Sequence, residues 1–368
     1  MRVGVPKEIK VHEYRVGLTP ASAREFVQRG HAVLVETGAG AGIGASDDDY
    51  TAVGAMIGSA ADAFATDMVV KVKEPQPAEW ARLRDGQILF TYLHLASDRP
   101  QTEGLLQSGV TAIAYETITD GKGGLPLLSP MSEVAGRLSI QAAAASLEKH
   151  GGGEGLLLGG VPGVPAGRVV VLGGGVVGTQ AAKVAVGLGA EVTILDKSLP
   201  RLRDLDDLFG GRVRTCYSTA DTLETEVRQT DALIGAVLVP GASAPKLITR
   251  DLLRLMKPGS VLVDVAIDQG GCAETSRATT HADPTYIEEG IVHYCVANMP
   301  GAVPRTSTRA LNNATLPVGL ALADKGLAAL TDAHIAAGLN VHRGRLTNHA
   351  VADSLGFEWT AFDLSQAA

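Results

Sequence analysis

The chain has 368 residues, of which 45% are hydrophobic and 20% are charged, and its formal net charge is -8 at pH 7. This length allows two domains with sizeable cores, at about 150 residues per domain. The negative charge argues against a nucleic-acid partner, and no stretch approaches the roughly 20 apolar residues of a membrane span. Three widely spaced cysteines without a C-x-x-C pair argue against disulfides or zinc, so we expect a metal-free cytoplasmic protein.

The first 129 residues alternate strand-like and helix-like segments, which predicts an α/β domain. Thr19 and Pro20 form a helix start signal, and Gly30 is a stop signal. This region is predicted to be Rossmann-like but without a phosphate loop. Its predicted strands are residues 3–5, 32–35, 68–72, 88–91 and 112–114, and its predicted helices are residues 20–29, 47–53, 60–64 and 99–107.

A long amphipathic helix is predicted to begin at Ser129 and to end at His150, because apolar residues recur at every third or fourth position. We expect this helix to connect two domains. The stretch 151–167 contains glycines and prolines and is predicted to be a loop. A disordered linker is the alternative for this stretch, although it lacks the charge that is typical of one.

A glycine-rich turn between an apolar strand and a helix is the most informative feature of the sequence. Gly173, Gly175 and Gly178 match G-x-G-x-x-G. The first glycine allows a tight turn, the second lets the backbone approach a pyrophosphate, and the third allows close helix packing. Asp196 ends the next strand, about 20 residues further on, where an acid binds the ribose hydroxyls. The pattern predicts NAD binding, with NAD preferred over NADP.

The second domain is predicted to be a complete dinucleotide-binding sheet of parallel-type strands, formed by residues 169–172, 191–195, 213–216, 232–236, 261–265 and 292–296. After residue 308 the pattern is helical to near Asn340, and Pro317 predicts two helices with a new start near Thr315. The tail from Val341 is expected to pack on the first domain. The predicted layout is a substrate domain, residues 1–129 and 307–368, interrupted by an NAD-binding domain, residues 130–306, with the two chain crossings acting as a hinge.

Polar residues follow the predicted strands of the first domain, where α/β sheets bind ligands. Arg15 is a cation suited to bidentate carboxylate binding, although a solvated loop charge is the simpler interpretation. Lys71 and Lys73 lie on one face of a strand, and Lys73, at the tip, is the one we expect to face the ligand. His94 ends the next strand; its alternative is a core histidine.

In the second domain, two strand ends are predicted to lie near the nicotinamide. Asp268 lies in the first of them with paired glycines, and the alternative for this residue is a plain turn aspartate. The second is the segment 296–301, whose backbone and whose Asn298 and Met299 side chains are candidates to line the pocket. The remaining candidates at these two strand ends are Val265, Ala266, Val296 and Ala297.

Blocks spread in order over nearly the whole chain resemble the alanine dehydrogenase family, which includes the soluble part of the proton-translocating transhydrogenase. The blocks are PKEI at 6–9, EYRV at 13–16, LTP at 18–20, VKEP at 72–75, YLHLA at 92–96, VLGGG at 171–175, DQGGC at 268–272 and NMPGAVPRTST at 298–308. The resemblance implies reversible oxidative deamination of L-alanine to pyruvate and ammonium with NAD, in a homo-hexamer.

The resemblance also implies residue roles. Arg15 and Lys73 would hold the substrate carboxylate and carbonyl oxygen, His94 would be the general acid and base, and Asp268 would assist proton transfer. Two other interpretations stay open: a transhydrogenase NAD-binding subunit and a catalytically silent NAD-binding regulator. The implied cofactor contacts are Ser132, Val176, Val177, Asp196, Arg201, Ser218, Val237, Leu238, Ile267, Arg277 and Met299.

Overall fold

The computed structural model describes residues 1–237 and 244–363. The chain divides into two compact units, one of Met1–Met131 with Val303–Ala368 and one of Ser132–Ala302. Each unit contains one large sheet. In the described ranges no helix is long and apolar enough to cross a membrane, and no cluster of His, Cys, Asp and Glu side chains could hold a metal ion.

The first unit is built on an eight-stranded sheet. Its strands are β1 (Arg2–Val5), β2 (Ala32–Glu36), β3 (Met56–Gly58), β4 (Met68–Val70), β5 (Ile88–Thr91), β6 (Thr111–Ala114), β14 (Leu339–His342) and β15 (Arg345–Leu346). Its helices are α1 (Pro20–Gln28), α2 (Asp47–Thr51), α3 (Ala60–Phe64), α4 (Pro77–Trp80), α5 (Arg99–Ser108), α11 (Pro304–Lys325), α12 (Ala333–Ala336) and α13 (His349–Leu355). All five strands and all four helices predicted before residue 129 are present.

Six strands of this sheet are parallel, in the order β3-β2-β1-β4-β5-β6, which is the strand order of a dinucleotide-binding fold. Parallel strands are covered on both faces, and β4, β5 and β6 are accordingly buried at every residue. The carboxyl ends of the six strands therefore lie at one edge of the sheet.

The end of the chain packs on this unit and adds two strands to its sheet that were not predicted from the sequence. β14 pairs antiparallel with β6 and with β15. Val341, Leu346 and Val351 join the hydrophobic core that contains Leu89 of β5 and Ala112 of β6. The prediction of helix up to Asn340 was wrong at its end, because residues 339–342 form strand β14, which is paired on both sides and fully buried.

The predicted break at Pro317 was also wrong. α11 is continuous through Pro317. Proline removes one backbone hydrogen bond of a helix, but buried residues lie on both sides of it, including Leu311 and Thr315 before and Leu320 and Leu322 after. Packing of both halves against the unit therefore outweighs the lost hydrogen bond.

The second unit contains a seven-stranded sheet in the order β12-β13-β11-β10-β7-β8-β9. Its strands are β7 (Arg168–Leu172), β8 (Glu191–Asp196), β9 (Arg214–Tyr217), β10 (Ala232–Gly235), β11 (Val261–Asp264), β12 (Thr285–Glu288) and β13 (Ile291–Tyr294). Its helices are α7 (Val176–Gly187), α8 (Leu199–Phe209), α9 (Ala220–Val227) and α10 (Arg250–Leu253), and the boundary between the units falls within α6 (Ser129–Ser146).

The six predicted strands of this unit are all present and parallel. The sequence missed β12, which adds to β13 as an antiparallel edge strand. The predicted connector helix is α6, and residues 152–167 form a loop with one isolated bridge between Val161 and Val164. The order of the strands reverses between β7 and β10, since β8 and β9 follow on one side of β7 and β11 follows on the far side of β10. Sheets of this kind bind ligands at the carboxyl ends of the two strands where the order reverses.

Candidate functional site

Three candidate residues of the first unit follow neighbouring parallel strands. Arg15 comes after β1, Lys73 after β4 and His94 after β5, and these strands are adjacent in the sheet. All three residues therefore lie at the carboxyl edge of one sheet, which is where α/β proteins bind ligands. The strand order thus places the two cations and the histidine, which follow different strands in the sequence, at the same edge.

Arg15 is buried and forms an ion pair with Glu13, so it is not the solvated loop charge of the simpler interpretation. Its Nε and Nη2 atoms donate to the two carboxylate oxygens of Glu13 at 2.7 and 2.6 Å, and only 1% of its side chain is exposed. Nη1 lies 3.0 Å from the Sδ atom of Met131. Burial disfavours the charge, but Glu13 outweighs it, so the pKa of Arg15 is raised. Glu13 therefore fixes the fork of the guanidinium.

The two lysines have different environments, because β4 ends at Val70 and the chain turns after it. Lys71 is fully buried, and its Nζ donates to Glu8 at 3.1 Å and to Glu79 at 3.0 Å. Lys73 is half-buried; its backbone N–H and that of Val72 donate to Glu8 Oε1 at 3.3 and 2.7 Å. The prediction that both lysines continue the strand was wrong, and Lys71 has a structural role.

His94 lies in a left-handed backbone conformation, with φ of 51°, just after β5. The carboxylate of Glu116 holds this turn, because Oε1 accepts the backbone N–H of His94 at 2.6 Å and of Leu93 at 3.1 Å. The imidazole is 45% exposed and stacks on the Tyr92 ring, with centroids 5.7 Å apart. A strained backbone with a solvent-accessible titratable ring is typical of a functional position and not of core packing.

Three acids that hold the candidate residues at this edge of the sheet were not predicted from the sequence: Glu8, Glu13 and Glu116. Each holds a neighbouring candidate residue by hydrogen bonds to its backbone or side chain. Burial raises the pKa of Glu8, partly offset by Lys71. Glu116 could have been predicted from the strand pattern. It follows β6, which is parallel to β5, so it lies beside the residues that follow β5.

The glycine loop of the second unit meets each requirement of its motif. Gly173 has φ of 96°, which suits glycine in the tight turn after β7. A Cβ atom on Gly175 would meet no atom within 4 Å, so this backbone is open to a ligand at the start of α7. A Cβ atom on Gly178 would lie 1.9 Å from the carbonyl oxygen of Gly173. The loop therefore leaves an open backbone at the place where the sequence predicts a pyrophosphate.

Asp196 ends β8 beside this loop. Its Oδ2 atom accepts the backbone N–H of Gly174 at 2.7 Å, and Oδ1 accepts that of Ser198 at 2.8 Å. Arg201 donates from Nε to the carbonyl oxygen of Gly174 at 2.7 Å, and from Nη2 to Thr179 at 2.8 Å. Ser218 follows β9 and donates its backbone N–H to the carbonyl oxygen of Asp196. These residues form the acid-bearing rim expected around an adenosine ribose.

Asp268 and Asn298 connect the two predicted nicotinamide-side segments. Asp268 lies in a 3₁₀ turn, Val265–Gln269, and its Oδ1 atom accepts the backbone N–H of Asn298 at 3.3 Å. Asn298 has a left-handed φ of 61°, and Asp268 is exposed. The Asp268 carboxylate therefore links the end of β11 to the segment after β13 and is not an isolated turn aspartate.

The other cofactor candidates differ in how exposed they are. Val296 and Met299 belong to the hydrophobic core, and Ala266 and Ile267 are also buried. Val176 is exposed at the start of α7, and the Arg277 guanidinium stacks on the Tyr286 ring at 3.8 Å. Leu238 lies outside the described residues. The half-buried candidates are Ser132, Val177, Val237, Val265 and Ala297.

Comparisons with known proteins cover nearly the whole chain. Residues 4–135 match the family described as alanine dehydrogenase/PNT, N-terminal domain, and residues 139–349 match its C-terminal domain. An alanine dehydrogenase of Halomonas elongata is 64% identical over 363 residues, covering 98% of each chain.

Solved structures agree with these matches. An L-alanine dehydrogenase is 56% identical with a TM-score of 0.95, covering 97% of this chain and 99% of its own. A transhydrogenase of Sinorhizobium meliloti is 25% identical with a TM-score of 0.82, covering 95% of this chain and all of its own. The chain therefore belongs to the alanine dehydrogenase/PNT family.

Proposed function

We propose that the chain catalyses the reversible, NAD-dependent oxidative deamination of L-alanine to pyruvate and ammonium. The observation that carries this proposal is the shared edge of the first sheet, where an arginine, a lysine and a histidine follow three adjacent parallel strands. An α-amino acid needs a partner for its carboxylate and a group that exchanges protons near neutral pH. The 64% identity to an alanine dehydrogenase selects the reaction among those that such a set of residues would allow.

NAD is the cofactor of this activity, and the residues of the second unit fit it. The backbone of Gly175 and the start of α7 would hold the pyrophosphate, and Asp196 would accept from the ribose hydroxyls. The Asp196 carboxylate would repel the 2′-phosphate of NADP. NAD, when bound, supplies the hydride acceptor.

On the substrate side, Lys73 and Arg15 would place positive charge near the carboxylate and the carbonyl oxygen. Arg15 would act with a preset geometry, because Glu13 already holds two of its nitrogens. His94 would take and return the protons that move when water adds to the imino carbon and when ammonia leaves. Histidine is the side-chain type that ordinarily exchanges protons near neutral pH. Asp268 would orient the water or ammonia.

A transhydrogenase subunit is the second candidate, since the family includes such proteins and the solved transhydrogenase has the same fold. That structure is 25% identical, against 56% for the L-alanine dehydrogenase. We propose a cytoplasmic homo-hexamer on the resemblance to alanine dehydrogenases. The three unpaired cysteines fit a reducing compartment, and sedimentation of the purified chain tests the assembly.

One assay separates the candidates: NADH formation by the purified chain alone, with L-alanine, D-alanine or NADPH as the hydride donor. We expect NADH only with L-alanine. No NADH from L-alanine would leave two alternatives: a transhydrogenase subunit, which passes hydride to a second nucleotide and needs a partner, and a silent NAD-binding protein.

A further inference from the structure

The carboxylate of Asp264, at the end of β11, is the centre of a tightly folded loop. Asp264 is fully buried. Its Oδ2 atom accepts the backbone N–H of Cys272 at 2.8 Å, that of Ala273 at 3.4 Å and the Ser276 hydroxyl at 2.5 Å. Its Oδ1 atom accepts the backbone N–H of Ala266 at 3.1 Å. One side chain thus binds both ends of the loop that follows its own strand.

The atoms around this carboxylate are closely packed. A Cβ atom on Gly271, whose φ is +78°, would lie 2.7 Å from Asp264 Oδ2. A Cβ atom on Gly235 would lie 2.4 Å from the Sγ atom of Cys272 and 3.0 Å from Asp264 Oδ1. The Cys272 thiol is buried against Asp264, and burial and this carboxylate raise its pKa. Gly271 of the loop and Gly235 of β10 therefore leave the space that the buried carboxylate and thiol occupy.

Asp268 lies between the two ends of the anchored loop. Its backbone belongs to the 3₁₀ turn Val265–Gln269, which Asp264 caps through Ala266, and its carboxylate contacts the backbone of Asn298. Asp268 itself is exposed, so few packing contacts hold its side chain in place. The position of its carboxylate is therefore set mainly by the path of the loop.

We propose that Asp264 is a positioning residue for Asp268. Its carboxylate holds the loop 265–276 in the one path that presents Asp268, and it neither contacts the substrate nor moves a proton. This inference rests on the proposed function, since Asp268 matters to turnover only if the chain deaminates an amino acid. Small displacements of a catalytic group have large effects on rate, so an anchor of this kind is a requirement for turnover.

The kinetic test is a double-mutant cycle with Asp264→Asn, Asp268→Asn and the double variant. Asparagine matches the shape of aspartate but presents an amide N–H₂ to some of the N–H donors, which loosens the loop. We expect each single variant to lower kcat by about 10²-fold, and the double variant to lose no more than about twofold beyond Asp268→Asn. A double variant whose loss of kcat equals the product of the two single losses would overturn the positioning role. Normal turnover in Asp264→Asn would also overturn it.

A second readout does not depend on activity: alkylation of Cys272 in the folded protein by iodoacetamide, located by peptide mapping. We expect Asp264→Asn to speed alkylation of Cys272 by about tenfold or more after each rate is divided by the thiolate fraction, taken from the pH dependence of alkylation in the same variant, because the thiol is covered only while the loop keeps its path. Asp251→Asn, at an exposed carboxylate of α10, is the control and should leave the rate unchanged. An unchanged rate in Asp264→Asn would contradict the proposal.

Ser276→Ala keeps the test decisive if Asp264→Asn does not fold, because it removes a single hydrogen bond to the carboxylate. We expect a smaller increase in Cys272 alkylation and a severalfold loss of kcat; the absence of both would overturn the proposal. A wild-type chain that forms no NADH from L-alanine would refute the proposed function instead. The alkylation rates would then decide alone whether Asp264 fixes the loop.

Discussion

The Asp196 carboxylate accepts the backbone N–H of Gly174 at 2.7 Å, so the acid at the end of β8 is held against the glycine loop. Asp196→Asn keeps an acceptor for this N–H but removes the negative charge that would repel a 2′-phosphate. We expect kcat/KM for NADP relative to NAD to rise by about tenfold, or about 1.4 kcal/mol. Steady-state kinetics with both cofactors measures the ratio. Asp206→Asn, at an exposed position of α8, is the control; an unchanged ratio in Asp196→Asn would refute the assigned role.

Gly178 tests the glycine loop directly. Its alanine variant would place Cβ 1.9 Å from the carbonyl oxygen of Gly173, so α7 would have to move away from the loop. We expect the Kd of NADH, measured by fluorescence titration, to rise by at least about tenfold. Gly187→Ala is the matched control in the same helix, because a Cβ atom there meets nothing within 4 Å. Equal affinities of the two variants would exclude the loop as the pyrophosphate site.

His94→Asn isolates the imidazole, because asparagine tolerates the left-handed backbone that His94 adopts. We expect kcat for L-alanine to fall by about 10²–10⁴-fold while the Kd of NADH stays within about twofold. Rapid-mixing kinetics and NADH titration measure the two quantities. His150→Asn, at an exposed histidine, is the control. Near-normal turnover of His94→Asn would remove His94 from the mechanism.

His293 is expected to make the stability of the second unit depend on pH. The ring is fully buried, with Nε2 2.9 Å from the Thr275 hydroxyl and Nδ1 2.9 Å from the carbonyl oxygen of Ile291. Burial lowers the pKa of His293, so below the unfolded value of about 6.5 the unfolded chain binds a proton that the folded protein does not. The free energy of unfolding that this histidine contributes therefore decreases as the pH falls below about 6.5.

The variant for this prediction is His293→Gln, whose amide can serve both hydrogen-bond partners but does not titrate. We expect the thermal midpoint of the wild type to fall more than that of the variant between about pH 7.5 and about pH 5.5. Calorimetry at the two pH values measures both midpoints. Parallel decreases would mean that His293 does not contribute to the acid sensitivity.

Features determined by local sequence were predicted well. The tight turn at Gly173, the close packing at Gly178 and the acid at the end of β8 depend on residue type at fixed spacing, and each was confirmed in the structure. The amphipathic pattern likewise predicted α6, because one helix face recurs every three or four residues.

Features determined by distant contacts were not predictable in the same way. β12 is a half-exposed edge strand that exists through its pairing with β13, and Pro317 is tolerated because both halves of α11 are packed. The burial of Arg15 depends on Glu13, and the conformation of His94 on Glu116 from the neighbouring strand. A single sequence contains these residues but not their proximity.

The most direct test of the proposed activity is reductive amination by the purified chain, run with pyruvate, NADH and isotope-labelled ammonium. Mass spectrometry would quantify labelled L-alanine against the NADH consumed. We expect one labelled L-alanine for each NADH oxidised, and loss of this product in His94→Asn. NADH oxidation without labelled L-alanine, or labelled alanine formed equally well by His94→Asn, would contradict the proposed activity.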